Sequence, residues 1–195
     1  MKKFLTLLLF ATIIFTLSAC GENKKDTDDV ASVSSYSHGV NIVKYAQKGE
    51  IPEIPYKLGH DIEKLKTTFL DTLSVDSEID GLVETQGEKT VWLDGGSVMF
   101  CYQKAKKDEG IAVIIAKEYA YDFSMGGVYS KEDIIEAMDG TEYETSQNPD
   151  DAFFLPIVPE NLECLTFKTG DNILRFVFID DALSAAMLID PENWE

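Results

Sequence analysis

The chain has 195 residues, of which 45% are hydrophobic and 11% aromatic, a composition typical of a globular rather than a disordered protein. At this length roughly 70% of the unfolded surface can be buried, so folding requires neither a metal ion nor a disulfide. The chain carries 35 acidic and 17 basic residues, a formal net charge of −18. This charge repels nucleic-acid phosphates and anionic lipid headgroups, which excludes nucleic acid as a partner, and it favours cationic partners or simple solubility.

The first 19 residues have the pattern of a lipoprotein signal peptide. Lys2 and Lys3 form a short positive region, and residues 4–17 (FLTLLLFATIIFTL) are apolar and uncharged. This apolar run is shorter than the roughly 20 residues of a membrane-spanning helix. Residues 17–20 (LSAC) then resemble the bacterial lipobox, whose cysteine receives a diacylglyceryl group before cleavage. We therefore predict removal of residues 1–19 and lipid attachment at Cys20, with an uncleaved anchor as the alternative.

Lipidation at Cys20 would place the protein on the extracytoplasmic face of the cell membrane. Two acyl chains give stable anchoring where one gives only marginal binding, so the lipid bilayer is one predicted partner. Beyond the diacylglyceryl group, and an N-acyl chain where one is added, we expect no cofactor. Residues 20–38 are polar and rich in Ser and Asp, which favours a flexible tether before a globular domain over residues 39–195.

Two helices are predicted at the start of this domain. Val40, Val43 and Ala46 lie on one helical face, and Gly49 is a suitable residue to end the helix. Residues 51–55 (IPEIP) cannot continue it, because two prolines favour an extended backbone. Asp61 is a plausible N-cap for a second helix, whose apolar residues between positions 62 and 73 are spaced by three or four.

Strand patterns follow from residue 90. Residues 90–93 and 97–102 flank the sequence DGG, which predicts a hairpin. Residues 111–123 (IAVIIAKEYAYDF) are rich in β-branched and aromatic side chains and predict a third strand. The charged residues 104–110 between them predict a loop.

The same order of elements recurs in the second half. Residues 130–133 (SKED) approximate a capping box, which predicts a helix that ends at Gly140. After a loop at residues 148–151, strands are predicted at residues 153–158, 163–168, 173–179 and 184–190. We therefore predict an α+β fold of two similar halves, residues 39–123 and 124–195, each with short helices followed by an antiparallel three- to four-stranded sheet. Two unrelated α+β halves are the alternative.

Two segments carry a resemblance to a known family. Residues 41–65 (NIVKYAQKGEIPEIPYKLGHDIEKL) and 172–194 (NILRFVFIDDALSAAMLIDPENW) resemble the opening and closing segments of the domain of unknown function 4309 (DUF4309) family, found in lipoproteins of Gram-positive bacteria. The predicted architecture is also similar to tandem folds such as the beta-lactamase inhibitor protein. The latter resemblance implies a protein that works by protein–protein contact through its sheet, and neither resemblance implies a catalytic residue.

No enzyme signature is present. The sequence lacks G-x-S-x-G, P-loop, G-x-G-x-x-G, H-E-x-x-H and C-x-x-C motifs, so we predict no catalytic residue. His60, beside Asp61, is expected to be a loop or cap residue rather than a general base. Cys101 and Cys164 lie in predicted strands, where two buried thiols are the default, and a disulfide between them is the alternative in an oxidising compartment.

A weak calcium candidate lies after the second helix. Asp76, Glu78 and Asp80 alternate before Gly81, as at the opening of a calcium loop, but Gly87 stands where the closing glutamate is required. We therefore expect an acidic loop and no metal.

These patterns together predict a non-catalytic binding or interaction module of the cell envelope, with an unidentified envelope protein or ligand as partner. The exposed sheet face or the groove between the halves would be its contact surface. An envelope hydrolase using clustered carboxylates, or an inhibitor of an extracellular enzyme, is the alternative. Trp92 and Trp194 are expected to be core aromatics rather than surface anchors.

Overall fold

Eight β-strands and four α-helices are formed by the described part of the chain. The structure is a computed structural model, and it describes residues 37–72, 81–117, 130–138, 140–155, 157 and 159–194. All of them lie in one unit, Ser35–Glu195. Within these ranges, no helix combines the length and the apolar character needed to cross a membrane.

The elements follow one another in chain order. The helices are α1 (Ser37–Gln47), α2 (Ile62–Thr72), α3 (Lys131–Ala137) and α4 (Pro191–Trp194). The strands are β1 (Val83–Gln86), β2 (Thr90–Asp94), β3 (Val98–Gln103), β4 (Val113–Lys117), β5 (Tyr143–Ser146), β6 (Leu162–Thr169), β7 (Asn172–Ile179) and β8 (Ala182–Ile189). Two short 3₁₀ segments, Lys104–Glu109 and Pro149–Ala152, lie between strands.

The predicted helix ends are confirmed by their local geometry. Gly49 follows α1 with a φ of 76°, the left-handed conformation that glycine adopts without strain. Asp61 Oδ1 accepts a hydrogen bond of 2.7 Å from the backbone N–H of Lys64 at the start of α2. Ser130 Oγ accepts one of 3.2 Å from the backbone N–H of Asp133 at the start of α3.

The prediction of two halves with separate small sheets is wrong. All eight strands form one antiparallel sheet in the order β1-β2-β3-β4-β8-β7-β6-β5. The reason is that β4 and β8 pair directly, with Ile115 opposite Met187. α1 also contacts α3 and lies against β6 and β7, so it does not belong to a separate first half. Its carbonyl at Ala46 accepts a hydrogen bond of 2.8 Å from the side chain of Asn172 on β7.

Three segments differ from the strands that the sequence predicts. β1 and β5 were not predicted, because every β1 residue is exposed and β5 is almost wholly so, which leaves no alternation of apolar and polar residues. The strand predicted at residues 153–158 is wrong for its described residues, 153–155 and 157, since Pro149 begins a 3₁₀ segment and turns follow it. Of the strand predicted at residues 111–123, Val113–Lys117 is confirmed and residues 118–123 lie outside the described part.

One face of the sheet, here the helix face, packs against α1, α2 and α3. Removal of apolar side chains from water, worth about 25 cal/mol per Å² of buried surface, is the main force that holds these layers together. The largest side chains buried in this core are Phe100, Phe167, Phe176, Phe178, Ile42, Ile51 and Leu65.

The opposite face, here the strap face, is covered by α4 and by residues 149–155, which we call the strap. Phe153 of the strap stacks on Trp194 of α4 with ring centroids 4.9 Å apart, and Trp92 of β2 lies 5.5 Å from Phe153. The two tryptophans are therefore partly buried core aromatics, as expected. Arg175 on β7 holds the strap through an ion pair of 2.9 Å with Asp151.

Candidate functional site

Some of the residues singled out by the sequence lie outside the described part of the chain. These are Cys20, the predicted lipidation residue, and the calcium candidates Asp76, Glu78 and Asp80. Among the residues that the structure does describe, no group of three or more His, Cys, Asp or Glu side chains is arranged to hold a metal ion.

Cys101 and Cys164 are both buried free thiols on the strap face. β3 and β6, which carry them, are separated in the sheet by β4, β8 and β7. Four strand spacings of about 4.8 Å put their backbones roughly 19 Å apart, whereas a disulfide joins Cα atoms within about 7 Å. Burial raises the pKa of Cys101 well above its usual value and that of Cys164 to about 11, so neither supplies a thiolate nucleophile at neutral pH.

His60 lies in the loop before α2, where its ring meets Tyr56 edge-on with centroids 5.2 Å apart. Its Nε2 atom is buried and has no hydrogen-bond partner among the described residues. Burial, with a smaller contribution from Lys64, lowers the pKa of His60. Tyr56 packs against Phe100 on the helix face, so His60 and Cys101 lie on opposite sides of the sheet and do not form a nucleophile–base pair.

Much of the contact surface expected from the sequence is buried, although Thr166, Lys168 and Ile173 on the strap face remain accessible. At the junction of the two halves, residues 113–116 of β4 and 185–188 of β8 are 0% exposed. Helices cover one face of the sheet, and the strap and α4 cover the other. Asp180 and Asp181 have φ values of 51° and 64° and make the tight turn between β7 and β8.

A groove of about 900 Å³ lies instead at the edge of the sheet, beside β5. We call it the edge groove. Its volume falls within the roughly 300–1,000 Å³ of typical ligand sites. The residues that line it are Ile135, Gly140, Thr141, Glu142, Tyr143, Glu144, Thr166, Lys168, Asp171, Asn172, Ile173 and Pro191.

The two sides of the edge groove differ in chemistry. Tyr143 pairs with Phe167 in the sheet, and their rings lie 5.4 Å apart on the helix face. Ile135 of α3 lines the groove on that side and is half-buried. Because side chains alternate along a strand, Glu144 points to the strap face, beside its partner Thr166. One side of the groove therefore carries Tyr143 and Ile135, and the strap side carries Glu144 together with Lys168 and Ile173.

The charge of the edge groove is unbalanced. Glu142, Glu144 and Asp171 contribute three carboxylates to its lining, and Lys168 contributes one ammonium group. Glu142 and Glu144 are exposed, and neither forms an ion pair with any other described residue. The groove thus offers hydrogen-bond acceptors and negative charge to a ligand, together with the exposed ring of Tyr143.

Few features of the sequence indicate this groove. Residues 140–144 (GTEYE) have neither an apolar pattern nor a known motif. Their position beside a sheet edge depends on the pairing of β5 with β6, which is some 20 residues further along the chain. The exposed Tyr143 between two glutamates was the signal available, and an exposed aromatic residue of this kind is common at binding surfaces.

The fold and the groove define a class of protein, namely one antiparallel sheet with helices on one face and an open, acidic groove at one edge. No family model and no curated protein matches the chain. The crystal structure of a DUF4309 family protein, YjgB from Bacillus subtilis subsp. subtilis str. 168, is similar to it over 80% of this chain and 97% of that one. The sequence identity is 16% and the TM-score is 0.44.

Proposed function

We propose that the chain is a lipoprotein of the DUF4309 kind, anchored by Cys20 on the extracytoplasmic face of the membrane, and that it is a non-catalytic binding module. The observation that carries the binding function is the edge groove, an open site of about 900 Å³ beside an edge strand. The support for the anchor is the order of positive residues, apolar run and lipobox-like LSAC at the start of the sequence.

The anchor is tested by cysteine substitution with a lipid label. Cells fed an alkyne-bearing fatty acid should label the unsubstituted chain, whereas Cys20→Ser should abolish the label and change its membrane association. Cys164→Ser is the matched control, because it removes a buried thiol and leaves Cys20 in place. Labelling that survives Cys20→Ser would overturn the lipid anchor.

The binding function is tested by site-specific crosslinking in cells. A benzophenone amino acid placed at Tyr143 reports on the edge groove, and the same group placed at Tyr45 is the control, since these side chains are 43% and 41% exposed. We expect discrete adducts from position 143 that are absent from position 45. Equal adduct patterns at the two positions would contradict a binding site in the groove.

The alternative prediction, a hydrolase, is tested by an assay for hydrolysis of cell-wall polymers. The carboxylates available to such an enzyme in the groove are Glu142, Glu144 and Asp171. Hydrolysis of cell-wall polymers by the purified chain that is lost in Glu142→Gln, Glu144→Gln or Asp171→Asn would replace the binding function by catalysis.

A further inference from the structure

Strand β5 ends the sheet, and part of its backbone faces outward. β6 and β7 are joined by a two-residue turn, so the flanking residues Thr169 and Asn172 form the hydrogen-bonded pair that closes the hairpin. Hydrogen-bonded and non-hydrogen-bonded pairs alternate along each ladder. Phe167 lies two residues before Thr169, so it also belongs to a hydrogen-bonded pair, and its backbone N–H and C=O groups point to β7. Those of its β5 partner, Tyr143, are therefore directed away from the sheet, and the same holds for Thr145 two residues on.

The side chains beside this open backbone alternate in chemistry. Glu142 and Glu144 have the same parity and flank the groove on the strap side, whereas Tyr143 lies on the helix side with Ile135. A strand added next to β5 would place successive side chains alternately against the two sides. Every second side chain of the added strand would therefore lie near the carboxylates of Glu142 and Glu144. The side chains between them would lie near the ring of Tyr143 and the aliphatic side chain of Ile135.

We propose that the open edge of β5, where β5 also borders the edge groove, binds an extended peptide of alternating basic and apolar residues, which pairs with β5 by backbone hydrogen bonds. This proposal rests on the proposed binding function and deepens it by naming the class of partner. The outward backbone groups of Tyr143 and Thr145 supply the affinity that strand addition draws from main-chain hydrogen bonds. The alternating carboxylates and apolar side chains supply the sequence preference.

Charge favours a basic peptide over a second copy of the chain as the partner of β5. Antiparallel pairing of two β5 strands would bring Glu142 and Glu144 of each copy together, and like charges facing each other across strands are destabilising. The formal net charge of −18 also repels a second copy and attracts a cationic segment. The opposite edge strand, β1, is less suited, because its Glu84 already forms an ion pair with Lys66 of α2.

The test uses the chain purified from detergent-solubilised cells and a fluorescein-labelled octapeptide of alternating lysine and valine. Anisotropy titration should give saturable binding that weakens as salt concentration rises, since the charges are exposed. An octapeptide with four lysines followed by four valines has the same composition and charge, and we expect it to bind at least about tenfold more weakly because it cannot satisfy both sides of the groove. Equal binding of the two peptides would overturn the proposal.

The contribution of the two glutamates to binding is tested by substitution with glutamine. Glu142→Gln with Glu144→Gln should weaken binding by about three- to tenfold. The control pair, Glu53→Gln with Glu109→Gln, changes the net charge equally at exposed positions outside the groove, and it should leave the affinity unchanged. Equal losses in the two pairs would reduce the effect to net charge and contradict a site at β5.

Thr145→Pro removes an outward N–H that the added strand requires, whereas Thr145→Val retains it. We expect loss of binding in the first variant and retention in the second, with melting temperatures measured for both. If Thr145→Pro unfolds the chain, the glutamine pair remains the deciding variant. Adducts from position 143 in cells without binding of the alternating peptide would refute this inference and leave the proposed function standing. The absence of both would refute the two together.

Discussion

The ring of Phe69 occupies the space in which a side chain at Gly95 would lie. A Cβ atom at Gly95 would be 2.2 Å from Phe69 Cζ and 2.9 Å from the neighbouring ring carbons. The ring itself is held by Tyr56, which stacks on it at 6.4 Å, and by Phe100, which meets it edge-on at 6.3 Å. The hairpin turn between β2 and β3 therefore needs glycine at this position for packing, because Phe69 on α2 fills the space beside it.

Gly95→Ala should accordingly destabilise the fold by about 1–3 kcal/mol, the usual range for overpacking of a core. Urea denaturation measures this loss. Phe69→Leu shortens the side chain that clashes, so the double variant should be more stable than the sum of the two single losses predicts. Strict additivity in this double-mutant cycle would show that the two residues do not compete for the same space.

Gly110 and Gly140 provide a matched pair of glycines with positive φ, 83° and 74°. A side chain at Gly110 would lie 2.5 Å from the carbonyl oxygen of His60 and 2.7 Å from the backbone of Gly59. One at Gly140 would meet no atom of the described residues within 4 Å. The backbone at Gly59 is fixed by a hydrogen bond of 2.8 Å from its N–H to the carbonyl of Ile111.

Gly140→Ala should therefore cost about 1–2 kcal/mol, the strain of a left-handed alanine. Gly110→Ala should lower the free energy of unfolding by clearly more than this. The added methyl group has the same backbone strain and also clashes with the backbone of Gly59 and His60, which cannot move aside. Both values come from urea denaturation. Equal losses for the two variants would mean that the Gly59–His60 backbone yields to the added methyl group.

His60 should make the stability of the protein depend on pH near neutrality. Burial, then Lys64, lowers the pKa of His60 below its ordinary value, and Lys57 adds to this while Asp61 opposes it. The unfolded chain therefore takes up the proton first, so stability is full above about pH 6.5 and is lost as the pH falls through the folded-state pKa.

His60→Phe keeps a ring against Tyr56 and removes the titrating group. Urea denaturation at several pH values between 5.5 and 8 should show a decline toward acid in the unsubstituted chain that is smaller in the variant. The difference between the two profiles isolates His60, because every other residue is the same in both proteins. Identical profiles would show that protonated His60 is accommodated without cost.

The sequence predicts those elements whose determinants are local. The N-caps at Asp61 and Ser130 and the glycine after α1 are signals contained within a few residues, and the structure has them all. The hairpin around residues 94–96 was predicted for the same reason. Such signals set the type of an element but do not say which strands become neighbours.

The joining of the two halves depends on contacts between distant residues. β4 reads as a continuous apolar run, because both of its faces are buried, so its sequence does not indicate its partner. β5 carries Tyr143 among exposed polar residues and gives no periodic signal, yet it forms the edge of the sheet and lines the groove. Residues 153–155 of the strap are predicted as part of a strand, whereas their aromatic side chains cover the sheet instead of joining it.

The strap should depend on Arg175 more than on any exposed ion pair. Arg175 Nη2 lies 2.9 Å from Asp151 Oδ1, Nη1 donates a hydrogen bond of 3.0 Å to the Asp151 carbonyl, and Nε donates one of 2.9 Å to Thr166. The two charged side chains are 13% and 22% exposed, so the pair is largely shielded from water. Arg175→Met leaves the Asp151 carboxylate and carbonyl without these donors and should cost about 1.5–3 kcal/mol.

Lys107→Met is the control, since Lys107 and its partner Glu63 are 47% and 66% exposed, and loss of such a surface pair costs about 0–1 kcal/mol. Tryptophan emission adds a readout specific to the strap, because Phe153 covers Trp92 and Trp194. Arg175→Met should shift this emission to longer wavelength at urea concentrations below global unfolding, as the strap leaves the aromatic cluster. If emission shifts only together with the global transition, the strap is an integral part of the core and Arg175 stabilises the whole sheet.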